Sequence, residues 1–135
     1  MKAIDLRGAR KHSLAIVAGA ALALAGCAAL DPRPSHEIVV ARAQARWDAM
    51  VKGDFKTAYG FLSPGSRSVY TPEGWAGSLR PGFWKSVVVE KAVCEAPETC
   101  EAFLLVEVEH KGGRYKVPVK ETWIKDSGNW WFVQK

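Results

Sequence analysis

Apolar and polar positions change period twice along this chain, and each change marks a boundary. From Leu14 to Leu30 the sequence is unbrokenly apolar or glycine for 17 residues. After a short proline-bearing stretch, Val40, Ala43, Trp47 and Met50 recur at intervals of three and four. That spacing predicts a helix over 36–52 with one buried stripe. Ser35 is its expected N-cap, and Gly53 is placed to end it. Phe55, Ala58, Tyr59 and Leu62 repeat the helical period behind Asp54, a capping residue, and Ser63-Pro64-Gly65 should stop this second helix. Thr71-Pro72-Glu73 reads as a third helix start with proline at the first helical position.

From Phe83 the period becomes two, the alternation of half-buried strands. FWKSVVVEKAVCE and CEAFLLVEVEHK read as the first two strands. Gly112-Gly113 is expected as a two-residue hairpin turn, RYKVPVKETWIK as the third strand, and NWWFVQ as the last, after an Asp126-Ser127-Gly128 turn. Helices followed by an antiparallel four-strand meander make an α+β domain.

The segment before the domain has different chemistry. Lys2, Arg7, Arg10 and Lys11 stand against one acid, Asp5, and the apolar run follows at once. A basic start, a short apolar stretch and small residues together form a secretory leader. As a membrane span the run sits at the lower limit of roughly 17–25 residues, and it is built of Ala and Gly, which insert weakly. Leu24-Ala25-Gly26-Cys27 resembles the lipobox of bacterial lipoproteins. That resemblance implies cleavage before Cys27, a diacylglycerol on its thiol, and attachment to a lipid bilayer by acyl chains worth about 0.8 kcal/mol per buried CH₂. Ala28, where aspartate would follow in enterobacterial inner-membrane lipoproteins, implies the outer membrane, with the domain facing the periplasm. The chain then divides into a leader (1–26), a lipidated tether (27–35) and one domain (36–135).

Removing the leader changes the charge picture. The chain has 19 basic and 14 acidic residues, of which four and one fall in the leader, leaving a net of +2. Such a balance gives no reason to expect a nucleic-acid partner. Basic groups near the anchor, Arg33, Arg42 and Arg46, either touch anionic headgroups or form a solvated helix face. With Cys27 acylated, Cys94 and Cys100 remain as an even pair, and export favours a structural disulfide between them. His12, His36 and His110 are scattered, so no metal box forms, and no cofactor motif is present.

ARAQARWDAMVKGDFKTAYGFLSP, with alanines and an aromatic before Gly-Asp, resembles the opening of NTF2-like (SnoaL-like) cone domains. The closing GNWWFV strand is similar to their usual ending. The resemblance covers most of residues 36–135. It implies N-terminal helices packed on a curved four-stranded antiparallel sheet that often encloses a pocket and is often dimeric. Some members are isomerases, cyclases or dehydratases; their Tyr and Asp pair has no residue-by-residue match here.

Candidate site residues come from the hairpin register. With Gly112-Gly113 as the loop, opposed residue numbers sum to 225; with Cys94 facing Cys100, they sum to 194 in the first hairpin. One face then carries Trp84, Val88, Ala92, Leu104, Val106, Val108, Val117, Val119 and Trp123, with Glu90 and Glu121 flanking Leu104. Two strand spacings separate those acids, roughly 10 Å. Carboxylates on an apolar face are costly unless paired, and burial would raise their pKa into general acid or base range. Alternatively the row lies at the sheet edge, Pro118 makes a bulge that turns Glu121 outward, or an arginine of the first helix pairs with it. His110 and Tyr115 are expected opposite each other beside the Gly-Gly turn as a second polar pair. The other face carries Val87, Val89, Phe103, Leu105, Ile124 and Trp131, apolar enough to predict a homodimer through the sheet or docking of another envelope protein. No nucleophile elbow, Cys–His arrangement or phosphate loop is present. The leading expectation is therefore a non-catalytic domain binding an apolar small molecule or an envelope protein. An enzyme using a pocket carboxylate, and an assembly factor working through its outer face, are the alternatives.

Overall fold

A computed structural model describes residues 31–135. The leader and Leu24–Cys27 lie outside the described residues. Among the described residues no helix is long and apolar enough to cross a membrane.

The first helix, α1 (Ser35–Lys52), starts one residue earlier than expected. Pro34 takes the N-cap position and no side chain caps the helix, so Ser35 is its first residue rather than its cap. Proline suits that role because its fixed φ delivers the chain into the helix without an N–H to satisfy. At the other end Gly53 adopts φ +74, with its N–H on Met50 and that of Asp54 on Ala49. This double closure needs a left-handed residue, which only glycine supplies cheaply. The stripe facing the sheet is Val39, Ala43, Trp47 and Met50, with Val40 half-buried beside it.

Asp54 caps α2 (Phe55–Tyr59) by accepting from the Thr57 N–H. This helix stops at Tyr59, short of the expected Leu62. Residues 61–63 instead run alongside the last strand: Phe132 N–H donates to Phe61 O, and Ser63 N–H donates to Phe132 O. Leu62 stays fully buried there. A further helix, α3 (Pro64–Val69), follows at once, capped by Ser63. Its Ser-Pro start has the same form as the Thr71-Pro72 start of α4 (Pro72–Gly77).

Four strands pair in sequence order as one antiparallel sheet: β1 (Trp84–Ala96), β2 (Thr99–His110), β3 (Gly113–Asp126) and β4 (Asn129–Phe132). The architecture is therefore α+β, helices on one face of an open antiparallel sheet, as the change of period predicts. The last two hairpins turn through Lys111-Gly112 (φ +50, +76) and Ser127-Gly128 (φ +51, +79). Positive φ at both central positions is the geometry whose twist matches the flanking strands. The loop of the middle hairpin is thus Lys111-Gly112 and not Gly112-Gly113, and opposed residues sum to 223. Val108 faces Tyr115, and Ala102 faces Glu121.

The first hairpin departs further from expectation. Ala92 faces Ala102, as the cysteine pairing predicts, and Cys94–Cys100 is a disulfide. Beyond that, the register slips at Glu90 and again near Lys85. Each slip inserts one residue, so the side chains between them change face. Val87 and Val89 point into the core, while Val88 is 60% exposed.

Both outer edges of the sheet are managed. The Gln44 side chain of α1 donates to Val87 O and accepts from Val89 N–H, standing in for a missing strand beside β1. β4 covers β3 only from Trp123 onward. The remaining β3 edge carries Lys116, Pro118 and Lys120, residues that discourage further strand pairing. Pro118 makes no bulge: the β2–β3 register runs unbroken, because its missing N–H falls on the open edge.

Candidate functional site

The site develops from α1 crossing the inner face of the sheet. Helical spacing puts Arg46 and Trp47 side by side over β3, where the strand presents Glu121 and Trp123 inward. Glu121 is only 4% exposed and Arg46 only 3%. Arg46 Nη1 donates to Glu121 Oε1 at 2.7 Å. The Trp47 indole N–H donates to the same oxygen at 2.7 Å, and that of Trp123 to Oε2 at 3.2 Å. Three donors thus converge on one carboxylate and compensate its removal from water. Of the alternatives the sequence leaves open for Glu121, an arginine of the first helix is the one realised. The guanidinium carbon also lies 3.8 Å from the Phe132 ring centre, a stacking contact available to Arg but not to Lys. Burial pulls the Arg46 guanidinium below its ordinary pKa, and Glu121 opposes that shift.

Arg46 retains unused capacity. Its Nε–H is buried with no partner among the described residues. Next to it opens a cavity of about 330 Å³ between α1, the start of β1 and the exposed part of β3. Trp47, Met50, Leu79, Trp84 and Val119 form most of its apolar wall, and the Arg46–Glu121 pair closes one end. The volume lies at the lower end of small-molecule pockets, roughly 300–1,000 Å³. Two further depressions, of about 420 and 630 Å³, lie beside α3 and α4 respectively.

The other expected site residues do not gather here. Glu90 is the inserted residue of a β1 bulge and is exposed, so the proposed Glu90–Glu121 row around Leu104 does not exist. Glu121 faces Ala102 rather than Leu104. His110 and Tyr115 are not opposed: His110 faces Gly113, both side chains are exposed, and Tyr115 stands over Gly113. A Cβ on Gly113 would come within 2.7 Å of the Tyr115 hydroxyl, so that ring packs on the turn instead of lining a pocket. On the outer face Phe103, Leu105 and Trp131 are each half-buried. Trp75 and Trp130 are both buried. The arginine that pairs is Arg46: it occupies a position of the buried helical stripe, and a charge inside an apolar stripe is the signal that singles it out.

No family model matches the chain, and no curated protein does. Among solved structures it is similar to a SEC-C motif containing protein from Rhodopseudomonas palustris, at 15% identity and TM-score 0.58, over 70% of this chain and 73% of that one. A SEC-C motif containing protein from Psychrobacter arcticus matches at 14% identity and TM-score 0.54, over 69% of this chain and 56% of that one. The hub homology domain of a CamKII from Chlamydamonas reinhardtii matches at 18% identity and TM-score 0.47, over 72% and 92% of the two chains. The first two likenesses show a shared fold at this level of identity.

Proposed function

We propose that this chain is an envelope lipoprotein, anchored by acylated Cys27 in the outer membrane and facing the periplasm, whose NTF2-like domain holds a small apolar molecule without transforming it. The observation that carries the reading is the aromatic-walled cavity whose single carboxylate is already engaged by three donors. A general base must reach its substrate's proton, whereas Glu121 is 4% exposed and already accepts from Arg46 and two indoles. What the lining offers a ligand instead is positive charge, from Arg46, Lys120 and Lys135. The fitting ligand has an apolar body with an acceptor, such as a carbonyl or carboxylate, at one end.

The test is mass spectrometry of the native chain extracted from membranes. Two results are expected: an acyl modification on Cys27, and a non-covalent small molecule that is lost in Leu79→Trp, a substitution at the cavity wall. A chain free of acyl groups would remove the anchor, and a small molecule retained by Leu79→Trp would remove the cavity as its site.

A second reading concerns the outer face, where Val88, Leu105 and Pro118 align in one row across three strands. With Val88 60% exposed, that row supports a homodimer through the sheet. Sedimentation at micromolar concentration should show a dimer that Val88→Lys converts to a monomer; a monomeric native chain would discard the idea.

A further inference from the structure

Arg42 and Arg67 come from α1 and α3, yet both lie over the same indole. Their guanidinium carbons stand 5.5 and 5.0 Å from the Trp131 ring centre, and Arg42 is also 5.0 Å from that of Phe61. The Arg42 Nε–H is fixed on Trp130 O at 2.7 Å, which leaves its two terminal nitrogens free to face outward. Neither arginine has a carboxylate within ion-pair distance among the described residues, whereas Arg33, Arg46 and Arg114 all do. Two cations gathered on one ring without a counter-ion form a site for an anion. Burial lowers the pKa of Arg42, in keeping with a charge held against the protein surface.

The surroundings of this pair are apolar. Trp131 is half-buried, and its neighbour across the strands is Ile124. Ile124 and Val69 border one groove, and Val69, at 74% exposure, is the most exposed large hydrophobic residue described. One acid, Asp126, borders the same groove; its side chain accepts from the Ser127 hydroxyl, and its carbonyl from the Trp131 indole. An indole at the boundary, an exposed valine beside a half-buried isoleucine, and unpaired guanidinium groups are what a bilayer surface binds: tryptophan favours the headgroup level, and arginine pairs with phosphate. An acidic protein would use the cations but leave Val69 and Ile124 without purpose.

We propose that Trp131, Ile124, Val69, Arg42 and Arg67 form a footprint that lays the domain on an anionic membrane surface through its lipid phosphates. The footprint rests on the anchoring half of the proposed function only in that the tether brings the domain close. Eight residues separate Cys27 from Ser35, at most about 27 Å of extended chain, and Arg42 is seven residues further along α1.

Among the described residues every core residue lies between Val39 and Phe132, so residues 28–135, which lack Cys27, keep that core. This unacylated domain is cosedimented with vesicles of phosphatidylglycerol and phosphatidylcholine in equal parts, and with phosphatidylcholine alone. The expected result is binding to the anionic vesicles, weakened by salt. Arg42→Gln with Arg67→Gln should lower the partition coefficient roughly thirty-fold, at about fivefold per charge. Arg67→Glu, a half-exposed position, serves should the double variant misfold. Equal binding to both vesicle types, or full binding by the variants, overturns the footprint. So does an equal affinity for polyglutamate, which would assign the pair to an acidic partner. Because the domain carries no acyl group, failure here leaves acylation of Cys27, tested by mass, untouched.

Discussion

Replacing Glu121 by leucine should cost the domain about 3–5 kcal/mol, the usual loss when one member of a buried ion pair is removed. The magnitude follows from what remains behind. Arg46, at 3% exposure, would keep its charge with no counter-ion, and the Trp47 and Trp123 indoles would lose their acceptor. Glu121→Gln should cost less, since an amide oxygen still accepts two of the three hydrogen bonds. The paired change Arg46→Met with Glu121→Leu should recover most of the loss, because buried pairs exchanged together for apolar residues are often neutral. Urea unfolding of Arg46→Met, Glu121→Leu and the paired variant completes a double-mutant cycle. A Glu121→Leu protein as stable as the native one would mean that the ion pair contributes nothing.

The architecture was readable because its signals are local and repeat. Helical spacing located α1, the Gly53-Asp54 pair ended one helix and capped the next, and the change to period two located the meander. The disulfide agrees with the even pair of cysteines left once Cys27 is set aside. What failed was long-range register, and for definite reasons. In KGG both Lys111-Gly112 and Gly112-Gly113 can form the same turn, since the geometry asks for positive φ at two positions and lysine tolerates it here. The resulting error of two residues preserved the faces of β3, so Glu121 was placed inward correctly but against the wrong neighbour. In β1 the error was of one residue, which reverses faces. SVVVEKAV offers valine on either side, so nothing in the alternation betrays that Glu90 is inserted. Arg46 was legible in part: pairing of Glu121 with an arginine of the first helix was among the alternatives, but Arg46 itself stood with the surface charges although it follows the buried stripe of α1. A long cation beside Trp47 in that stripe needs an acid opposite, and Glu121 was the acid already in hand.

Those misreadings have a common consequence for function. Two opposed carboxylates would have argued for acid–base chemistry, whereas one carboxylate bound to an arginine and two indoles argues for a rigid wall. The six tryptophans then separate by role. Trp47 and Trp123 grip the carboxylate, Trp84 borders the cavity, Trp75 and Trp130 fill the core, and Trp131 lies at the edge beneath two arginines.

Trp123 separates packing from hydrogen bonding most cleanly. It has no exposed surface, its ring lies 6.0 Å from that of Phe132, and it faces Cys100 across the sheet. Trp123→Ala should destabilise the domain by about 3–5 kcal/mol, from lost apolar burial plus the void left behind. That is a large share of the roughly 5–15 kcal/mol that holds a typical domain together. Trp123→Phe keeps most of the ring and removes only the donor to Glu121 Oε2, so its cost should stay near 1.5–3 kcal/mol, the range for a hydrogen bond to a charged group. The order Ala well below Phe, and Phe below native, in the urea midpoint is the expected outcome. Should Phe prove as harmful as Ala, the indole N–H rather than the ring would dominate, and the carboxylate cluster would be the true keystone of the inner face. Should Phe match the native protein, the two shorter bonds from Arg46 and Trp47 already satisfy Glu121, and Trp123 stabilises the domain by packing alone.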